Sequence, residues 1–277
     1  MIDLLERISP HTVTYAFFDT GIEYRATKFH LEDLEEKYGI KIHRRPAVTP
    51  VPAGCKKFGQ PFLSKYVSEM IERLQNHNFQ WEDEPFDVLY ARYPKCKAAL
   101  RWWCNDWGDG SSFNISRNYL LKEFMIAYPP RFKISNKCCT GAKKKPAILC
   151  NVEFGANLRI TGERQAESGA RATANTSCFT PAKEDKIAAY RPLFFWSDAD
   201  KLAYESAFGV WHSDCYRVWG MTRTGCAGCP FGSRFEQELE IIGQYEPWLY
   251  TAVNNIFGDS YVYTRAYRKF KSTVRKE

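Results

Sequence analysis

No stretch of this sequence approaches the roughly eighteen consecutive apolar residues that a membrane-crossing helix needs. The first residues, MIDLLERISP, lack the basic start and apolar middle of a secretory signal. The reading therefore has no membrane partner, and the expected compartment is the cytoplasm. Internal repeats and low-complexity segments are missing too, which removes solenoids, propellers and disordered tracts. Charge bias is modest: 39 Lys and Arg stand against 32 acidic residues, a net charge of +7. That excess suits a nucleotide, a sulfate or a nucleic acid, and suits a solvated basic surface as well. Much of it falls in the C-terminal RAYRKFKSTVRKE, which reads as a frayed basic tail.

What the chain does have is length, rings and cysteine. Its 277 residues suffice for one large domain or two small ones. Aromatics reach 16%, so the core should be built on large rings. There are ten cysteines. In a reducing compartment stable disulfides are rare, and close spacings point to metal or redox work. The closest pairs are Cys138-Cys139 and the Cys226/Cys229 pair of RTGCAGCPFG. Four thiolates from two such loops hold either a zinc ion or an iron–sulfur cluster. Adjacent cysteines make an awkward zinc knuckle, because neighbouring side chains must turn to one centre. They reach two different irons of a [4Fe–4S] cube more easily. Buried thiols with no ligand fit the spacing as well. Cys55, Cys96, Cys104, Cys150, Cys178 and Cys215 share no spacing and read as core residues.

TVTYAFFDTG (12–21) is a β-branched and aromatic run that reads as a strand entering a loop. ATKFHLEDLEEKYG (26–39) has helical spacing and a glycine stop, and IKIHRRPAV (40–48) reads as the next strand. That order predicts a crossover and a parallel sheet. Residues 50–60 read as a loop, 61–77 as a helix, and 81–113 as an irregular tryptophan-rich insertion. Residues 116–128 read as helix, 129–146 as a basic loop, and 157–164 as a strand. A helix capped by Ser197 or Asp198 follows, and 234–257 is helical with a break at Pro247.

CC, then some eighty residues, then CxxC resembles the cluster signature of the iron–sulfur adenylylsulfate reductases. These belong to the phosphoadenosine phosphosulfate (PAPS) reductase family. Other blocks agree in order. FFDTGIEYRAT (17–27) is similar to the family's second strand and nucleotide-side loop. CCTGAKKKP (138–146) resembles CC-x-x-Arg-Lys-x-x-Pro, with Lys143 and Pro146 matching and Ala142 in place of the usual arginine. ITGERQAESGARA (160–172) places Gly162, Arg164, Glu167, Ser168 and Arg171 on a Gly-x-Arg-x-x-Glu-Ser-x-x-Arg block. RPLFFWSDADKLAY (191–204) resembles a further segment, and RTGCAGCPFG is close to the form in phage and DNA-phosphorothioation members.

The resemblance covers about residues 10 to 235. It implies an α/β fold of the adenine-nucleotide α-hydrolase-like, Rossmann-like kind, a parallel sheet flanked by helices. Residues 1–235 would form this domain, and 236–277 a helical extension with the basic tail. It implies a [4Fe–4S] cluster, or zinc as the alternative, on Cys138, Cys139, Cys226 and Cys229. It implies an adenine nucleotide or sulfonucleotide near Asp19, Thr20, Gly21, Lys143, Gly162, Arg164, Glu167, Ser168 and Arg171. Two departures stand out. The family's Ser-Gly-Gly-Lys-Asp-Ser pyrophosphate loop and first strand are not found ahead of Asp19, so truncation or degeneration is expected, and with it an exposed sheet edge. The tail also carries no cysteine to match the family's Glu-Cys-Gly-x-His nucleophile, which leaves Cys215 or Cys178 as substitutes. Two functions follow as expectations. One is nucleotide-dependent sulfur chemistry, reductive or sulfur-transferring, with a redox or sulfur-carrier protein as partner. The other is a non-catalytic regulatory or DNA-associated member. A homo-oligomer is compatible with both.

Overall fold

The structure, a computed structural model, describes residues 1–167, 175–184 and 186–274. In chain order it contains α1 (Ile2–Ile8), β1 (Tyr15–Asp19), α2 (Arg25–Tyr38), β2 (Ile42–Pro46), α3 (Val51–Phe58), α4 (Lys65–Gln75), α5 (Phe86–Arg92), α6 (Lys97–Trp103) and α7 (Leu121–Ala127). Then come α8 (Lys137–Cys139), a π-helical turn (Thr140–Lys144), α9 (Lys145–Glu153), β3 (Leu158–Ile160), β4 (Phe179–Thr180) and β5 (Ala188–Tyr190). Four helices finish the chain: α10 (Asp198–Phe208), α11 (Asp214–Arg217), α12 (Phe235–Tyr245) and α13 (Pro247–Val274). The chain is α/β, with many helices and little sheet, and folds as two interleaved units.

The first unit takes residues 1–19, 24–46 and 144–224. Here β1 and β2 pair in parallel across α2, from Tyr15 opposite Ile42 to Asp19 opposite Pro46. α2 ends where expected: Gly39 adopts a left-handed conformation and its N–H bonds the Glu35 carbonyl. β5 pairs in parallel with β3 and antiparallel with β4. Instead of one continuous parallel sheet, the described residues thus form a parallel pair and a mixed three-stranded sheet. α10 starts at a capping box, in which Ser197 bonds the Asp200 N–H and Asp200 returns to the Ser197 N–H. A buried carboxylate ties three helices together. Asp3 on α1 accepts from Arg7 Nε at 2.8 Å, from Tyr38 of α2 at 2.6 Å and from Tyr204 of α10 at 2.7 Å.

The second unit takes residues 20–23, 47–143 and 225 onward, and its regular structure is helical. Trp102, Trp103, Phe62, Phe124 and Ile71 are buried at its centre. Burying such a side chain fully contributes about 1.5–3 kcal/mol. Three expectations are corrected here. Residues 51–58 are the helix α3, not loop. Their proline lies in the first turn, where its missing N–H costs nothing, and Gly59 follows the last turn. The 81–113 segment contains α5 and α6, whose tryptophans Trp102 and Trp103 fill the core. The basic stretch 129–146 is helical from Lys137. The break at Pro247 stands, since that residue opens α13. This helix continues to Val274, so residues 265–274 of the supposed tail are helical: Tyr267 is buried, Phe270 packs on the core, and Arg268 pairs with Glu236.

Burial raises the Asp3 pKa, but the bonds from Arg7, Tyr38 and Tyr204 outweigh it and bring the value to about 2, against an ordinary 3.8. A depressed carboxylate stabilises the fold above its unfolded pKa and loses that contribution as pH falls through the folded value. Asp3→Asn should therefore lose about 1–3 kcal/mol at pH 7. Its thermal midpoint should also fall less steeply than that of the parent between pH 4 and pH 2. Thermal melts across that range measure both effects.

Candidate functional site: a pocket of thiols

Two sequence segments far apart in the chain meet within the second unit. One is α8 with its π-helical turn, carrying Cys138, Cys139 and Lys143. The other is the loop 225–232, carrying Cys226 and Cys229. Cys138 is buried and the other three keep partial exposure. Cys139 and Cys138, and Cys138 and Cys55 on α3, act on one another electrostatically. Lys143 acts electrostatically on Cys226.

The environment is strongly unfavourable to thiolate charge as it stands. Cys139 pulls the Cys138 pKa down, yet Cys55 and burial push it well above the ordinary thiol value. Cys138 and burial raise Cys139 against the pull of Lys65 and Lys143. Burial lifts Cys229 to about 12. It also lifts Cys226, with Lys143 and Thr20 compensating only in part. Burial opposes the Lys143 ammonium, but Cys226 and Glu23 outweigh it and keep that group charged. Among the described residues, no three His, Cys, Asp or Glu side chains are placed to hold a single metal ion.

Backbone and second-layer groups fix the two segments. The Ala227 N–H bonds the Ile22 carbonyl at 3.1 Å, which ties the CxxC loop to residues 20–23. Gly228 donates to Glu238 Oε1 of α12 at 3.0 Å, and its carbonyl accepts from the Tyr261 hydroxyl of α13. Gly228 has a left-handed φ of 60°, and a Cβ there would lie 2.6 Å from the Tyr261 oxygen and 3.1 Å from a Val253 methyl.

The sequence-expected residues divide between the units. Thr20, Gly21, Lys143 and the four cysteines belong to the second. Thr20 is fully buried, and its hydroxyl donates to Glu23 Oε1 at 2.5 Å. Asp19, Gly162, Arg164 and Glu167 belong to the first. There Asp19 pairs with Lys28 at 2.7 Å. Arg164 donates to the Ser197 carbonyl at 3.0 Å and to Asp198 at 2.8 Å, so its guanidinium braces the start of α10. Gly162 packs against Met1, and Glu167 closes a short 3-10 turn. Ser168 and Arg171 lie outside the described residues. Sequence reasoning missed Glu23, Cys55, Lys65, Glu238 and Tyr261. Only Glu23 left a local signal, the Thr-x-x-Glu spacing of a capping box.

Gly228→Ala should strain the loop and push Tyr261 and Val253 away from it. The expected loss is more than about 1 kcal/mol in urea unfolding. Tyr261→Phe, which keeps the ring, should cost less.

No protein-family model matches the chain. A stretch of 111 residues, 40% of the chain, is 29% identical to the adenosine 5'-phosphosulfate reductase of Neisseria meningitidis serogroup B (strain ATCC BAA-335 / MC58), and covers 43% of that protein. A stretch of 112 residues is likewise 29% identical to the protein of the same name from serogroup A / serotype 4A (strain DSM 15465 / Z2491), covering 44% of it. The matched stretch thus spans less than half the length of these curated relatives. Over that part of its length the chain is similar, distantly, to proteins named adenosine 5'-phosphosulfate reductase.

Proposed function

We propose that this chain handles an adenine sulfonucleotide next to a [4Fe–4S] cluster carried by Cys138, Cys139, Cys226 and Cys229, in the manner of the PAPS and adenylylsulfate reductases. The carrying observation is the gathering of these four thiols, from two distant segments, within one unit, with the Lys143 ammonium acting electrostatically on Cys226.

The donor set fits such a group. It is all thiol, the chemistry that selects iron–sulfur clusters or zinc. A cube offers a separate iron to each thiol, so its ligands surround a body and need not converge on one point. Ligand thiols must shed their protons on binding, and the raised pKa values make that loss of protons costly until a cation is bound. When bound, the cluster supplies polarisable charge and one-electron redox capacity.

The chain's own residues do the rest. Lys143 holds a positive charge at the edge of the thiol set, where the sulfate of a sulfonucleotide can be met by a charge-assisted hydrogen bond. Glu23 favours the charged form of that ammonium, and Thr20 that of the Cys226 sulfur. The resemblance assigns Asp19, Gly162, Arg164 and Glu167 of the first unit, Gly21 of the second, and Ser168 and Arg171 to a nucleotide. Arg164 must release Asp198 to serve.

One observation favours the non-catalytic reading. Cys215, a candidate to replace the missing tail nucleophile, is fully buried, with its sulfur 3.9 Å from the Thr27 hydroxyl. An attacking thiolate needs access to its substrate. The other candidate, Cys178, keeps partial exposure.

Anaerobically purified protein should be brown, with iron and acid-labile sulfide near four each per chain, as the cubane requires. Replacing Cys139 or Cys229 with Ala should abolish the colour. Calorimetry should show adenosine 5'-phosphosulfate binding that Lys143→Ala weakens by about tenfold or more. A colourless zinc protein would remove the cluster. A brown protein that binds no sulfonucleotide would leave only the non-catalytic reading.

A further inference from the structure

Away from the cysteines, the second unit has a cavity of about 320 Å³, within the size range of small-molecule sites. Its walls come from the end of α3, from α4 and the turn behind it, and from the loop 130–134. Two rings of the turn, Phe79 and Trp81, meet edge to face at 5.7 Å, and Phe58 and Phe132 add two more. The turn is built to hold its rings. Asn78 closes α4 in the left-handed region, with its N–H on the Gln75 carbonyl and the Phe79 N–H on the Leu74 carbonyl, the pairing of a Schellman cap. Trp81 is also left-handed, at φ 58°, which a bulky side chain rarely adopts. Trp103 braces it: the two rings lie 5.8 Å apart, and Trp103 Nε1 donates to the Glu82 carbonyl at 2.9 Å. Gln75 clamps the loop opposite, donating to the Phe132 carbonyl at 2.8 Å and accepting from the Ile134 N–H at 2.9 Å. Side chains alternate along that loop, so Ile134 is buried while Arg131 and Lys133 are exposed at the cavity.

The polar groups of this cavity divide by whether they are already satisfied. Glu72 is buried and satisfied: it accepts from Ser135 at 2.9 Å and pairs with Lys137 at 2.5 Å. Among the described residues, the side chains of Asn76, Asn78, Arg131 and Lys133 make no hydrogen bond or ion pair. The acids that follow Trp81 do not cancel the two cations, because Glu82 pairs with Arg92 and Asp83 with Lys122. Rings stack on a planar base, carboxamides meet its polar edge, and a guanidinium and an ammonium meet phosphate. We propose that this cavity binds a nucleoside phosphate, with the base against the rings of Phe79 and Trp81 and the phosphates at Arg131 and Lys133. The site uses no cysteine and none of the residues assigned to the sulfonucleotide, so it does not rest on that reading.

Calorimetry of the full chain with ADP tests this, with adenosine and pyrophosphate as the two halves of the probe. ADP should bind saturably with a Kd below about 1 mM. Either half alone should bind at least about tenfold more weakly. Arg131→Ala/Lys133→Ala removes two exposed side chains and should weaken ADP about tenfold or more. Trp81→Leu should weaken ADP and adenosine alike, by about tenfold. Lys143→Ala, which the sulfonucleotide reading needs, should leave ADP within about twofold. Photolabelling with 8-azido-ADP and peptide mapping should mark residues 76–81 or 131–134. Far-ultraviolet circular dichroism controls for folding, and if Trp81→Leu unfolds, the double charge variant and the photolabel carry the test. No ADP binding, or binding that survives the double charge variant, overturns the proposal. Pyrophosphate binding as tight as that of ADP also overturns it, since the rings would then hold no base. ADP binding lost in Lys143→Ala and kept in the double charge variant would support the sulfonucleotide reading and overturn this one.

Discussion

The candidate site depends on one steric constraint, the close approach of α3 to the segment that carries the vicinal cysteines. At Gly54 a Cβ would lie 3.2 Å from the Cys138 Cα, closer than an ordinary contact. At the other end of the turn the relation is reversed: a Cβ on Gly141 would lie 2.7 Å from the Thr49 Cβ, just ahead of α3. Backbone bonds lock the two together. Thr49 donates to the Gly141 carbonyl at 3.2 Å, Gln60 to the Lys133 carbonyl at 2.8 Å, and Ser135 to the Gln60 carbonyl at 3.0 Å. Both flanks of α3 are thus stitched to residues 133–141. Side chains larger than glycine at 54 or 141 would separate the two and carry Cys55 away from Cys138.

The same stitch reaches the second cysteine pair through α13. The Gln60 amide donates to Asp259 at 2.9 Å, its oxygen accepts from the Ser260 N–H at 2.9 Å, and the Ser260 hydroxyl bonds the Pro61 carbonyl. One residue further along α13, Tyr261 holds the Gly228 carbonyl. A 28-residue helix thereby measures the separation between α3 and the CxxC loop. Its apolar face is anchored in the aromatic core by Tyr267, so the geometry of the thiol pocket is inherited from packing some distance away. Rigid elements of this kind, not the cysteine loops themselves, set how well four sulfurs can share one body.

Much of this was legible in the sequence, and the failures share a physical cause. Local signals were read correctly where local physics decides: the glycine stop of α2, the Ser197 cap, the parallel pairing of β1 with β2, and the break at Pro247. Proline and glycine misled at residues 50–60, because the same two residues that punctuate loops also open and close short helices. The tryptophan-rich stretch looked irregular because α5 and α6 are each only seven residues long, too short to display a helical period. The cysteine pairs announced themselves by spacing. Cys55, Glu238 and Tyr261 did not, because each is placed by packing between separate elements, and no spacing rule encodes such a contact.

The π-helical turn accounts for where Lys143 and Ala142 stand. Widening the helix between Thr140 and Lys144 adds residues per turn, so that side chains five apart stack as those four apart do in an α-helix. Lys143 is five residues past Cys138 and four past Cys139, and such a turn carries its ammonium to the sulfur side, where Cys139 and Cys226 both feel it. The turn also rotates position 142 inwards. Ala142 is fully buried, and a guanidinium there would have to displace packed neighbours or remain uncompensated in the interior. The alanine that replaces the usual arginine is therefore a packing choice made jointly with Gly141 and Thr49. Its consequence is electrostatic. At these thiols Lys143 acts together with Glu23 and Cys226, and Lys65 adds its positive charge at Cys139.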